Sequence, residues 1–324
     1  LTIDAENFYN MVLSERQFDK DHFSFSGLRK VYYRIRSLLP SCFRPLLHKI
    51  AKSNQESSML LKWPIEDRFV LFLFDTIKES MKRLGKQSLE FFHFWPRGKR
   101  FAFVITHDIE TKIGQDFAWE LAEVDKKYGF RSSFNFIPEG YEIDLKLIEK
   151  LKQNRFEVGI HGLKHDGKLF LSKGIFESRA EKINHYLKEW GVVGFRSPLT
   201  HRNPEWMQKL DIEYVSSFFD TDPYEPIPGG TMSIWPFQMG QFIELPYTLA
   251  QDHTLMSTLG ENSPQLWLEK VDFIRKYCGM ALVNVHPDYQ RDPAHFAIYE
   301  AFLKQMSQQS DYWQALPKEV ARWW

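Results

Sequence analysis

The feature that most restricts this chain is a rhythm that sets in at Lys99. Short, nearly unbroken apolar runs alternate with longer amphipathic ones. The apolar runs are residues 100–107 (RFAFVITH), 131–137 (RSSFNFI), 156–161 (FEVGIH), 192–198 (VVGFRSP), 212–219 (IEYVSSFF), 242–249 (FIELPYTL) and 280–287 (MALVNVHP), with 233–237 (SIWPF) as an extra candidate. Helical stretches fall between them, around 116–128, 144–153, 175–190, 264–277 and 294–308. A strand apolar on both faces is buried on both faces, and strands separated by helices pair in parallel. About seven such strands predict a closed or nearly closed barrel rather than an open sheet.

The first 95 residues have a different texture: helices separated by irregular segments. The clearest is 65–84, with Phe69, Leu73, Ile77, Met81 and Leu84 on one face and Gly85 as its stop. The expected organisation is therefore a mainly helical N-terminal extension over 1–95 and a barrel domain over 96–324. Within the extension, His22 to Gln55 holds no acid and seven bases: Arg29, Lys30, Arg34, Arg36, Arg44, Lys49 and Lys52. Interleaved Leu and Tyr make it basic and amphipathic, which suits either a solvated helix face or a contact of the 29–52 region with a membrane surface or an anionic glycan.

Composition excludes several classes. Lys and Arg number 42 against 42 Asp and Glu, which gives no reason to expect a nucleic-acid partner. The two cysteines, Cys42 and Cys278, cannot build a disulfide scaffold or a Cys-rich metal site. No apolar run approaches the roughly 20 residues a membrane span requires. The start, LTIDAENFYN, has no secretory pattern, so the expected location is cytoplasmic, with membrane association through the basic stretch as an open reading.

The polar residues cluster at the carboxyl ends of the strands: His107-Asp108-Ile109-Glu110, then His161 to His165-Asp166, Arg196-Ser197-Pro198, Asp220 with Asp222, and His286-Pro287-Asp288. In parallel β/α architectures those ends converge on one face, where chemistry is built. Each part also has an ordinary account. His161 and His165, four apart, reach one ion if they share a helical turn, but such a pair also arises by chance. Asp108 and Glu110 point the same way if the strand continues, or cap the following helix if it does not. Arg196 would serve in a surface ion pair, and His286 as a satisfied buried histidine.

The order of these motifs resembles that of the polysaccharide deacetylase family, the NodB-homology carbohydrate esterases (family 4-like), over residues 100 to about 290. The carrying motifs are Thr106-His-Asp-Ile-Glu110, His161 to His165, Arg196-Ser-Pro198 and Leu282-Val-Asn-Val-His286. The resemblance implies an irregular barrel of about seven parallel strands and metal-assisted hydrolysis of an amide or ester. Carried over by position, it implies Glu110, His161 and His165 as ligands of a divalent ion, zinc first, with cobalt, nickel or manganese as alternatives. It further implies Asp108 as the base, Arg196 as its ionised partner and His286 as the acid on the leaving group. The family's first motif has two adjacent aspartates; here Ile109 intervenes and the ligand is a glutamate, a divergent Asp-x-Glu form.

The expected activity is removal of acetyl groups from an N- or O-acetylated glycan, the acetylated carbohydrate being the partner. The alternatives are hydrolysis of another small amide or cyclic ureide, a two-carboxylate glycoside hydrolase, and an inactive glycan-binding relative. A glycoside hydrolase leaves the histidine pair and Arg196 without a role. Asp166 is expected either beside a ligand histidine or in a turn. Asp220, Asp222, His201 and Gln251-Asp252-His253 are expected in loops or caps. Trp235 is read as core or sugar platform, and Trp323 and Trp324 as docked on the domain.

Overall fold

A computed structural model describes residues 5–18, 22–25, 27, 30, 32, 33 and 61–324. Of the basic residues at 29–52 only Lys30 is among them; Arg29, Arg34, Arg36, Arg44, Lys49 and Lys52 lie outside the described residues, as does Cys42.

Among the described residues, two helices precede the barrel, α1 (Ala5–Leu13) and α2 (Arg68–Arg83). The barrel chain then runs β1 (Phe101–Ile109), α3 (Lys112–Lys127), β2 (Ser133–Phe136), α4 (Leu145–Gln153), β3 (Glu157–His161), α5 (Lys173–Trp190), β4 (Gly194–Arg196) and β5 (Tyr214–Val215). An antiparallel pair follows, β6 (Phe237–Met239) and β7 (Phe242–Glu244), then α6 (Gln265–Lys276), β8 (Met280–Asn284), α7 (Pro293–Ser307), β9 (Tyr312–Gln314) and α8 (Pro317–Trp323). The sheet order is β6-β7-β5-β4-β3-β2-β1-β8, and every pair except β6–β7 is parallel. β9 pairs with Phe101–Phe103 at the start of β1, below the stretch that β2 occupies.

The sheet curls into an incomplete barrel. Among the described residues no strand pairs with the outer edge of β8; instead the backbone N–H groups of Thr248 and Leu249 donate to Leu282 O at 3.3 and 3.1 Å. The expected strand at 212–219 shortens to two residues because Ser217 and Phe218 give their N–H groups to the Glu244 side chain instead of a ladder. The expected strand at 233–237 begins four residues later, as the antiparallel β6.

Period-two alternation assigns the faces. Phe103, Ile105 and Ile109 of β1 join the outer core under the helices, whereas Ala102 and Val104 join the inner one with Met280 and Leu282 of β8. The even-numbered positions of β1 and β8 therefore face the barrel interior, and their last members are Thr106, Asp108, Asn284 and His286. Asp108 and Glu110 are accordingly on one side, since β1 continues through Ile109. The odd-numbered His107 turns outward, its Nδ1 on Val285 O at 2.9 Å and its Nε2 on Asp125 of α3 at 2.9 Å. It belongs to the helix–sheet interface.

The N-terminal residues pack on the loops at the carboxyl ends of the strands. Arg202 is fully buried and forks onto Glu15, with Nε–Oε2 and Nη2–Oε1 both 2.8 Å. The Tyr33 hydroxyl lies 3.2 Å from His201 Nε2, and its ring fills the space that Gly167 leaves without a Cβ. The apolar stripe of α2 departs from expectation. Phe69 is buried, but Ile77 is 44% exposed and Leu84 73%, because the second half of the helix runs off the barrel. No described helix is long and apolar enough to cross a membrane.

Candidate metal centre and active site

Four strand ends, those of β1, β3, β4 and β8, and one loop bring the site together. His161 is the last residue of β3 and Arg196 the last of β4, and they are register neighbours. His165 reaches the same place from a loop, not from the helical turn its spacing suggested. Gly162 adopts φ +66° against the Pro198 ring and bends the chain out of the strand. A side chain there would be both strained and obstructed.

Glu110, His161 and His165 present ligand atoms that all lie within 4.8 Å of one another. His165 Nε2 is 3.0 Å from Glu110 Oε1. His161 Nδ1 donates to the Arg196 carbonyl at 3.2 Å, which fixes its tautomer and leaves the Nε2 lone pair free. His161 Nε2 is buried without a hydrogen-bond partner, and His165 Nε2 faces the Glu110 carboxylate. Burial, the largest influence, keeps His161 neutral and takes its pKa down to about 4. Burial opposes the charge of Glu110, but His165 first, then His286 and His161, outweigh it and hold the carboxyl well below the usual range. His161 as a neutral imidazole, His165 and the ionised Glu110 carboxylate form a donor set that fits a divalent ion with an open position. The carboxylate at 110 thus reaches both histidines from the same face of β1 despite the intervening Ile109.

Asp108 sits beside this cluster, 1% exposed. Its Oδ1 accepts from Asn135 Nδ2 at 2.9 Å; its Oδ2 accepts from Asn284 Nδ2 at 3.0 Å and lies 2.7 Å from Arg196 Nε. Gly159, opposite Asn135 in the β2–β3 register, leaves room for that amide: a Cβ there would come within 2.3 Å of its Oδ1. Burial again opposes ionisation, yet Arg196, His161, His286 and the Asn135 hydrogen bond together hold Asp108 below its ordinary value. A carboxylate has about four acceptor positions, so three donors leave one, on Oδ1.

His286 follows β8 and completes the group, its Nε2 4.0 Å from Asp108 Oδ2 and 3.9 Å from Glu110 Oε1. Its Nδ1 is 2.6 Å from Asp252 Oδ1. Burial disfavours the charged ring, but Asp252 chiefly, then Glu110 and Asp108, raise its pKa to about 10. At neutral pH it is an imidazolium.

Asp252 was expected in a loop or cap. It does head a π-helical turn, His253–Thr258, whose first N–H it accepts at 2.8 Å, but it also fixes His286. Its other oxygen takes the His286 N–H at 2.8 Å and the Gln290 amide at 2.9 Å. All four acceptor positions are filled, so the second metal-like group, Asp252, His253 and His286, is a hydrogen-bonded pair with a neighbour and has no carboxylate position left for an ion. Asn135 and Asn284 were also missed. The signal was present: each is a lone amide inside an apolar strand, and Asn284 stands two before His286.

Several other residues fall elsewhere. Asp166 caps a turn at Lys168 N and forks onto Arg179 at 2.7 Å, away from the histidines. Asp220 is buried against Lys270, and Asp222 accepts from Tyr224 N and the Tyr247 hydroxyl. Trp235 is core, 6% exposed, with Nε1 donating to Cys278 O. Thr111, not Asp108 or Glu110, caps α3, accepting from Gly114 N.

No protein-family description matches the chain. No curated protein matches it either. Solved structures do. A protein from Pseudomonas aeruginosa PAO1 described as a probable polysaccharide deacetylase superposes with a TM-score of 0.57 at 15% identity, over 72% of this chain and 94% of its own. Puue allantoinase superposes with a TM-score of 0.58 at 13% identity, over 72% of this chain and 94% of its own. The chain therefore has the fold of the polysaccharide deacetylases, a NodB-type (β/α) barrel of mostly parallel strands.

Proposed function

We propose that the protein is a metal-dependent hydrolase that removes acetyl groups from an N- or O-acetylated glycan. One observation carries the reading: the donor set Glu110, His161 and His165 lies beside both an ionised carboxylate, Asp108, and a protonated imidazole, His286. Pairs of titratable groups driven to opposite protonation states mark acid and base roles.

A divalent ion held by Glu110, His161 and His165, with zinc the first candidate and cobalt, nickel or manganese the others, would supply Lewis acidity toward the acyl oxygen and a more acidic water. Asp108 takes the proton of that water on the acceptor position left at Oδ1. Arg196, Asn135 and Asn284 keep its carboxylate ionised and fixed in orientation. His286 donates its Nε2 proton to the nitrogen or oxygen that leaves, and Asp252 holds the ring aligned for that transfer. Water adds to the acyl carbon, the C–N or C–O bond breaks, and acetate and a free amine or hydroxyl result.

A second reading, hydrolysis of a small cyclic amide, has one specific support: the allantoinase shares the fold as fully as the deacetylase does. The test is elemental analysis of wild type beside His161→Ala/His165→Ala, followed by acetate release from acetylated oligosaccharides and ring opening of cyclic ureides. Metal at about one per chain that the double variant loses, with acetate release, supports the proposal. Ureide opening alone favours the second reading. Full turnover without metal refutes both.

A further inference from the structure

The described surface has one concentration of exposed large apolar side chains: Leu84 (73%), Leu89 (52%), Phe91 (63%), Phe92 (100%), Trp323 (49%) and Trp324 (41%). Leu84, Leu89, Phe91 and Phe92 stand on one exposed chain segment, 84–93, and Phe94 joins its end to the two tryptophans. Phe91 is 6.3 Å from Phe94, Phe94 stacks on Trp324 at 6.4 Å, and Trp323 Nε1 donates to Phe94 O at 2.8 Å. Patches of this kind on a folded protein mark an interaction site.

The charge around the patch identifies the partner. Between residues 75 and 100 the exposed bases are Lys78, Lys82, Arg83, Lys86, Arg97 and Arg100; the acids are Asp75, Glu79 and Glu90. Asp75 and Glu79 pair with Lys78 and Lys82 at 3.3 and 3.5 Å, and on α8 Arg322 pairs with Glu213 and Glu319 with Arg131, so the excess lies along 83–100 and is positive. A second copy docking by a two-fold would set that excess against itself. Phe, Trp and Leu flanked by Lys and Arg is instead the composition of surfaces that rest in a bilayer interface, the rings among the headgroups and the bases on anionic lipid. We propose that this surface, formed by the second half of α2, residues 84–94 and the end of α8, seats on an anionic lipid bilayer.

The placement has a geometric consequence. Trp95 leads into the first residue of β1, while the candidate metal centre stands at the other end of that strand. At roughly 3.3 Å per residue the strand separates them by about 30 Å. The site then faces away from the bilayer, toward material standing above it. The proposal uses no residue of the basic 29–52 stretch considered from sequence, and it does not depend on the catalytic reading.

The full chain is sedimented with phosphatidylcholine vesicles with and without phosphatidylglycerol. Binding is expected only with the anionic lipid and is expected to vanish in about 1 M salt, where screening is nearly complete. Phe91→Ser/Phe92→Ser should weaken it by at least about tenfold, and Lys82→Gln and Arg83→Gln by about fivefold each. All four side chains are exposed, so the melting temperature should stay unchanged. Equal binding to neutral vesicles, no binding, or binding that survives Phe91→Ser/Phe92→Ser overturns the proposal. So does a stable dimer by light scattering that the same substitution dissociates, which would make the occupant a second copy.

Discussion

Asp252→Asn isolates the contribution of the charge behind His286. In wild type the ring has a pKa raised from 6.5 to about 10, with Asp252 the largest upward influence. That interval, at 1.36 kcal/mol per pH unit, corresponds to about 5 kcal/mol. Because the pKa is raised, the proton is present at all lower pH and is lost only as pH climbs through about 10. Removing the carboxylate charge lets the ring fall back toward 6.5. At about pH 7.5 only about one ring in ten then carries the proton, a tenfold loss from protonation alone. Loss of alignment adds to it, for a total of about 10²-fold in kcat/KM. The shape of the pH profile is the decisive readout. The variant should approach wild type on the acid side and lose activity as pH rises through about 6.5–7. An amide cannot accept all four hydrogen bonds that Asp252 now takes, so the melting temperature should also fall, but stability cannot move the alkaline limb. The profile is measured with metal-loaded enzyme on an acetylated oligosaccharide. A pH-independent loss, or an alkaline limb that stays near 10, refutes the assignment of His286 as acid and Asp252 as its orienting partner.

Three further outcomes follow from other parts of the molecule. Asn284→Leu removes one of three donors on Asp108 and should lower kcat about tenfold or more, with KM and metal content held; loss of metal by elemental analysis would show that the amide acts on the ligands instead. Glu244 is buried, with Oε1 on two backbone N–H groups and Oε2 unpartnered, and burial raises its pKa from 4.5 to about 8. The folded state keeps that proton where the unfolded chain has lost it, so its share of stability falls as pH rises from 4.5 through 8, by about 5 kcal/mol at most. Glu244→Gln mimics the protonated acid, so urea melts should show the variant gaining on wild type as pH rises from about 4.5 to about 8 and keeping that lead above it; a difference that stays constant across that window would sink the reasoning. Glu15→Ala leaves the fully buried Arg202 without its counter-charge and should cost about 3–5 kcal/mol, read as a fall of roughly 4–7 °C in thermal melts. An unchanged melting temperature would mean that the contact between the N-terminal residues and the barrel contributes nothing.

The sequence by itself determined the barrel and named most residues of the candidate site. Apolar runs that bury on both faces have to pair inside a covered sheet, and alternation along RFAFVITHDIE sends Asp108 and Glu110 to one side and His107 to the other. Local chemistry of that kind is contained in neighbouring residues. What only tertiary structure decided depends on contacts between distant parts of the chain. Asp252 looks like any helix cap until β8 brings His286 to 2.6 Å from it. Asn135 and Asn284 look like flaws in apolar strands until the curl of the sheet turns both onto Asp108. The bend that aims His165 depends on Gly162 lying against Pro198, 36 residues later. The stripe on α2 was legible as an apolar face, but not that the barrel would end before covering it. Periodicity states which residues must leave water; the closing of the sheet decides what they meet.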